Sequence, residues 1–258
     1  MRGASSRSGR SSEVANYPAP VPELVSDDRS ANGAIWTIVV AGGSGRRFGS
    51  EKQYESLGGR RVIDIACDTA RAATDGVVVV LPSPAAATAW SAPDPARECA
   101  VAGGETRSDS VRAGLAAVPA DAAVICVHDA ARPLATGELF ARVVDAVRAG
   151  AAGAIPGVAV TDTIKVVDPH GTVAATPDRS SLVAVQTPQA FAAGALRDAH
   201  AGGGAGTDDA ALVERLGGRV VVVAGEPWNR KITEPDDLVW ARSWWDRMTT
   251  GEREVIGT

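Results

Sequence analysis

The feature that most constrains this chain is a series of short apolar runs, rich in β-branched residues, that recur from Ala34 to Gly225. They are AIWTIVVA, GVVVVLP, ECAVAGG, AAVICVHDA, GAIPGVAV, LVAVQTP and RVVVVAG. Most are apolar at consecutive rather than alternate positions, the pattern of strands in a sheet covered on both faces. Between them, Val62–Ala73, Arg107–Val118, Gly137–Ala149 and Thr207–Leu216 read as helices. Leu139, Val143 and Val147, for example, recur on one helical face. Alternation of this kind predicts an α/β fold, a three-layer, doubly wound and mostly parallel sheet of Rossmann-like type. Ligands of such sheets sit beyond the carboxyl ends of the strands, so the residues that follow each apolar run are the ones to search.

A chain of 258 residues with 45% hydrophobic content can bury one large α/β core or at most two small ones. Residues 34–250 are read as a single domain, preceded by a tail over 1–33 and followed by another over 251–258. The first tail is rich in Ser, Arg and Pro, shows no periodicity and cannot repay the entropy of ordering, so disorder is expected there. A net charge of −5 argues against a general nucleic-acid or anionic-membrane surface and requires any cationic site to be local. Cys67, Cys99 and Cys126 are odd in number, far apart and without metal-ligand spacing, which predicts packing roles in a reducing, cytoplasmic compartment. No apolar run approaches the length needed to cross a bilayer.

One segment breaks the alternation. VTDTIKVVDPHGTVAATPDRSSLVAV holds two strand-like runs joined by Asp168-Pro169-His170-Gly171, a turn signal, and predicts a β-hairpin arm over about 158–181. A two-stranded arm has little core of its own and packs on something. Physical reasoning leaves its own domain and a second copy of the chain as equal candidates.

The stretch VVAGGSGRRFGSEKQ, Val39 to Gln53, ends the first strand in glycines and then cations. It contains no Walker A loop in any register, and Phe48 stands where the dinucleotide fingerprint needs its third glycine. What remains is a backbone able to approach a ligand closely, followed by Arg46, Arg47 and Lys52 as mobile positive charge. Alone, this reads equally well as a tight β-to-α turn with solvated arginines. Other strand ends carry matching chemistry: GGETRSDSV, VHDAARP, TDTIK, VQTPQAF, TDDAALVERLGG and NRKITEPDDL. VHDAARP sets Asp129 and Arg132 directly after an apolar run, the place for a metal-binding carboxylate and a phosphate clamp, although a lone Asp there also serves as a helix cap.

In the order and spacing of these motifs, the chain from about Ile35 to its last helix resembles the 2-C-methyl-D-erythritol 4-phosphate cytidylyltransferase family. The resemblance implies a sheet that binds CTP at the glycine-rich loop, a Mg²⁺ cofactor, transfer of cytidylyl to a polyol phosphate in non-mevalonate isoprenoid biosynthesis, and a homodimer made through the arm. Carried over by position, it implies Arg47, Lys52 and Lys231 as catalytic cations. Ala41, Gly42, Gly43, Gly104, Arg107, Ser110 and Arg132 would serve the nucleotide and its loops, and Asp129 would hold the metal. Thr163, Arg179 and Thr187 would contact the polyol phosphate, with Arg179 reaching in from the partner's arm. Asp208 and Asp209 would orient polyol hydroxyls or cap the helix that follows them.

Val40, Gly42 and Glu51 depart from the family's usual loop. AGGSG and KQY also resemble ribitol-5-phosphate cytidylyltransferases, the alternative within the class. Outside it stand a catalytically weak CTP-binding paralogue and a nucleotide-sugar pyrophosphorylase. No second domain follows the last helix, so a fused bifunctional enzyme is not expected.

Overall fold

The structure, a computed structural model, describes residues 33–43, 48–203, 206 and 208–249. The tails over 1–32 and 250–258, and Ser44 to Arg47, therefore lie outside the described residues. In chain order the elements begin with β1 (Ile35–Val40), β2 (Ser56–Leu57), β3 (Arg60–Arg61), α1 (Val62–Ala73), β4 (Gly76–Leu81), α2 (Pro84–Ala89) and β5 (Glu98–Ala102). They continue with α3 (Arg107–Ala117), β6 (Val124–Asp129), α4 (Gly137–Arg148), β7 (Gly153–Ala159), β8 (Val166–Val167), β9 (Val173–Ala175) and β10 (Val183–Val185). The last are β11 (Gln189–Ala192), α5 (Ala193–Ala201), α6 (Asp209–Arg215), β12 (Val220–Ala224) and α7 (Pro235–Thr249).

Among the described residues eight strands form the central sheet, in the order β10-β7-β11-β6-β1-β4-β5, with β12 paired to β7. The β1–β4, β1–β6, β4–β5 and β7–β12 pairs are parallel. The sheet is mainly parallel and doubly wound, as the apolar runs predict. Successive residues of one strand enter different cores: Val77 and Val79 pack with Ile63, Leu139 and Phe140, while Val78 and Val80 pack with Val111, Leu196 and Leu212. Helices α1 and α4 thus cover one face and α3, α5 and α6 the other. This is the physical reason that the strand reads GVVVVL without a polar position. A third cluster joins Leu57, Val62, Leu134, Ile232 and Leu238 under α7.

Two differences from the sequence reading have plain causes. LVAVQTP is not one strand but β10 followed by a turn through Gln186–Pro188, after which the chain resumes as β11. Both β10 and β11 run antiparallel to β7, against successive parts of it. The helices α2, α5 and α7 had no separate assignment, because α2 is a short alanine-rich turn with no buried residue and α5 is built largely of small residues whose periodicity is weak. Within the 158–181 segment read as an arm, only Val166–Val167 and Val173–Ala175 pair with each other, as the short antiparallel strands β8 and β9. Asp168 Oδ1 accepts the N–H groups of His170 and Thr172 in its turn, and Gly171 takes φ +82°.

Candidate active site

The carboxyl ends of β1, β4, β5 and β6 converge because hydrogen bonds continue past the strands. Ala41 N–H donates to Val80 O (2.8 Å), Gly103 N–H to Leu81 O (2.7 Å) and Ala130 N–H to Val40 O (3.0 Å). These ends floor a cleft of about 450 Å³. Ala41, Gly42, Gly43, Lys52, Gly104, Arg107, Ser110, Asp129 and Lys231 all line it, so positions spread over 190 residues of sequence meet in one place. Arg47 lies outside the described residues.

The segment GGETRSDSV is the wall of this cleft. Thr106 and Asp109 form a reciprocal capping box, Thr106 Oγ1 accepting from Asp109 N–H and Asp109 accepting from Thr106 N–H. The cap aims the positive N-terminal end of α3 at the cleft. Gly104 has no room for a side chain, since a Cβ there would stand 2.3 Å from that of Asp109. Ser110 Oγ accepts from Gly104 N–H (3.3 Å) and donates to Thr106 O (3.0 Å), fixing the approach of the backbone.

Asp129, the last residue of β6, faces two cations. Its Oδ2 lies 2.6 Å from Lys231 Nζ and its Oδ1 3.4 Å from Arg107 Nε. Burial opposes the charge of the carboxylate, but Lys231 and Arg107 outweigh it and hold its pKa well below the usual carboxylate range. Arg107 is likewise held charged against burial, by Asp129 and Asp209. Lys231 is brought opposite Asp129 by the loop after β12, which is tied down at several points. Ile232 N–H donates to Ala131 O (2.8 Å), and Gln186 and Glu226 exchange side-chain to backbone hydrogen bonds of 2.7 and 3.0 Å. Asn229 Nδ2 donates to Thr187 O (2.9 Å), and Arg132 donates to Asn229 O (2.8 Å).

A second lobe of about 250 Å³ adjoins the first and is lined by Arg132, Gln186, Thr187, Gln189 and Asp208. Arg107, Asp129 and Lys231 line both lobes. Thr187 Oγ1 accepts from Asp129 N–H (3.0 Å) and lies 3.1 Å from His128 Nδ1. Burial holds His128 down to about pKa 4, so this imidazole is neutral near pH 7. The arrangement is one anionic group with two flanking cations at the junction of two compartments.

Residues 35–247 match the sequence profile of 2-C-methyl-D-erythritol 4-phosphate cytidylyltransferase. The chain belongs to this cytidylyltransferase family. It is 48% identical over 216 residues to the enzyme of that name from Rhodococcus jostii (strain RHA1), covering 82% of this chain and 95% of that one. It is 44% identical over 226 residues to the one from Nocardia farcinica (strain IFM 10152), covering 86% and 98%. Among solved structures, it is similar to 4-diphosphocytidyl-2C-methyl-D-erythritol synthase from Anaerococcus prevotii DSM 20548, with TM-score 0.71 and 29% identity over 83% of this chain and 99% of that one.

Among the residues that the cytidylyltransferase resemblance singled out, Thr163 and Arg179 line neither lobe. Both are exposed, and Arg179 donates to Thr161 O within its own segment. Asp208 lines the second lobe while its other oxygen accepts from Ala211 N–H, so it also caps α6. Asp209 turns away: its carboxylate is buried and engaged by Arg107 and His200. Gln53 and Gln189 were not singled out by sequence. Both are buried beside the lobes, and each has one amide atom without a partner among the described residues. The only signal for Gln53 was its place next to Lys52; for Gln189 it was the motif VQTPQAF itself.

Proposed function

We propose that the chain transfers a cytidylyl group from CTP to 2-C-methyl-D-erythritol 4-phosphate, releasing pyrophosphate, as a step of isoprenoid precursor biosynthesis. The observation that carries the reading is the shared wall of Arg107, Asp129 and Lys231 between two lobes, in a chain of this family. A nucleotide triphosphate in the larger lobe and a phosphorylated polyol in the smaller would bring two phosphates together at that wall.

In the reaction, an oxygen of the polyol phosphate attacks the α-phosphorus of CTP in line. A new P–O bond forms, the bond to the β-phosphate oxygen breaks, and that electron pair leaves with pyrophosphate. The nucleophile is already anionic near pH 7, so no general base is required. The protein has to align two anions and neutralise charge on the phosphorus and leaving group. Lys52, Lys231 and Arg107 are suited to this by position, Arg47 by the resemblance, and the cap of α3 presents backbone N–H groups to the same space. Ala41, Gly42, Gly43, Gly104 and Ser110 would let the nucleotide lie against backbone.

Mg²⁺ would be held by Asp129. Among the described residues no group of three or more His, Cys, Asp or Glu side chains could enclose a metal alone. A single ionised carboxylate beside a phosphate cleft suits a cation that takes its remaining ligands from phosphate and water. When bound, it would supply further neutralisation of the triphosphate.

The exposed Thr163 and Arg179 sit in a segment that also exposes Ile164, Val166, Val167 and Val173. A homodimer made through this segment would cover those side chains and carry Thr163 and Arg179 to the partner's second lobe, completing the polyol phosphate site with Thr187. A cytoplasmic setting agrees with three cysteines that form no disulfide, and no helix among the described residues is long and apolar enough to cross a membrane. Residues 34–250 would form the single catalytic domain.

The test is pyrophosphate release with CTP and Mg²⁺, comparing 2-C-methyl-D-erythritol 4-phosphate with ribitol 5-phosphate. Faster turnover with ribitol 5-phosphate, or preference for UTP or GTP over CTP, would overturn the assignment.

A further inference from the structure

Arg107 is the first residue of α3, where the helix dipole disfavours a cation, and it is largely withdrawn from water. Its orientation is therefore set by anions. One of them, Asp129, faces the cleft; the other is Asp209, whose Oδ2 lies 2.7 Å from Arg107 Nη1. The side chain of Asp209 is 1% exposed and its other oxygen lies 3.0 Å from His200 Nε2. An ionised carboxylate only accepts, so the proton of this hydrogen bond belongs to His200. His200 is 2% exposed, and its Nδ1 has no partner among the described residues. Both oxygens of Asp209 are thus committed to protein, and neither is offered to a ligand.

We infer that His200 and Asp209 are positioning residues that hold Arg107 in the wall shared by the two lobes. Asp209 fixes the guanidinium from behind, and His200 fixes the carboxylate in turn, so that Arg107 Nε is presented to Asp129 at the point where the substrates meet. The three residues belong to α3, α5 and α6, which pack on one face of the sheet. The pair therefore acts on the site from α5 and the first turn of α6, through Arg107 at the start of α3. This rests on the proposed reaction only for the names of the ligands.

The test is a double-mutant cycle on CTP affinity, measured by calorimetry, with pyrophosphate release read in parallel. Arg107→Gln and Asp209→Asn should each weaken CTP binding roughly tenfold, as removal of a charge-assisted contact does. If Asp209 acts through Arg107, the double variant binds no worse than Arg107→Gln alone. A double variant weakened by the product of the two factors overturns the inference, as does Asp209→Asn with native affinity. Because Asp209→Asn could fold poorly, His200 gives an independent arm. His200→Leu should weaken CTP binding several-fold, and His200→Gln, whose amide can still donate to Asp209, should recover most of the loss. Equal loss in both, with matched melting curves, also overturns it. Failure of the wild type to release pyrophosphate would remove the proposed reaction while leaving the cycle on binding to be read.

Discussion

The valines of β4 and those of the hairpin segment are chemically the same residues with opposite fates. Val77, Val78, Val79 and Val80 are 0–1% exposed, whereas Val166, Val167 and Val173 are 47%, 56% and 54% exposed. The first set lies between two helix layers that cover both faces of the sheet. The second lies on a two-stranded ribbon that leaves its valines exposed. β-Branched residues make strands in both places, but only the first strand is supplied with a core by its own chain. The site follows the same division: the cleft is assembled from ends of strands that are anchored by burial, while Thr163 and Arg179 lie in the exposed segments on either side of the ribbon and line neither lobe.

The largest expected effect tests the anchored side. Lys52→Ala should lower pyrophosphate release by about a thousandfold or more, with the melting temperature unchanged, because it removes charge used mainly in the transition state. Near-native turnover would show that the glycine-rich loop has been misassigned. The packing contrast itself is tested next. Val79→Ala should cost about 2 kcal/mol in denaturant unfolding and Val167→Ala less than about 0.5 kcal/mol in the monomer. Equal losses would mean that the ribbon is packed after all.

Arg179→Ala should raise the concentration of polyol phosphate needed for half-maximal rate by about tenfold while leaving CTP binding intact. Mixing it with Lys52→Ala subunits should restore activity above either variant alone. No restoration would place the ribbon outside the active site. The smallest effect concerns thiols. Burial pushes Cys126 up to about 12, so it stays a neutral thiol and should not react with a thiol reagent at pH 8 until the protein unfolds. Rapid labelling of Cys126 in native protein would mean that the sheet opens there.

Much of the frame was legible because burial writes itself into composition. Strands covered on two faces must be apolar at every position, and α1, α3, α4 and α6 begin and end within about two residues of their sequence readings. The glycine-rich loop, GGETRSDSV and VHDAARP were legible as strand ends, and the structure brings their described residues together. Pairing direction was not legible, since β11 carries no local mark of running antiparallel to β6 and β7. His200 read as a residue in a small-residue stretch, and Asp209 as a cap or a polyol contact. Their partnership with Arg107 spans 102 residues from Arg107 to Asp209, and no periodicity records a contact of that range.

By itself, then, the sequence determined the α/β alternation, the two-faced burial of the sheet and the chemical types offered at its strand ends, because these depend on local pattern and on hydrophobic burial. Only the tertiary structure decided which charges face one another. That Asp129 is flanked by Lys231 and Arg107, that Asp209 turns from the cleft to hold Arg107, and that Arg179 stays outside it are matters of distance. A charge-assisted hydrogen bond forms only when its two groups are brought to contact distance, and spacing along a chain does not state it.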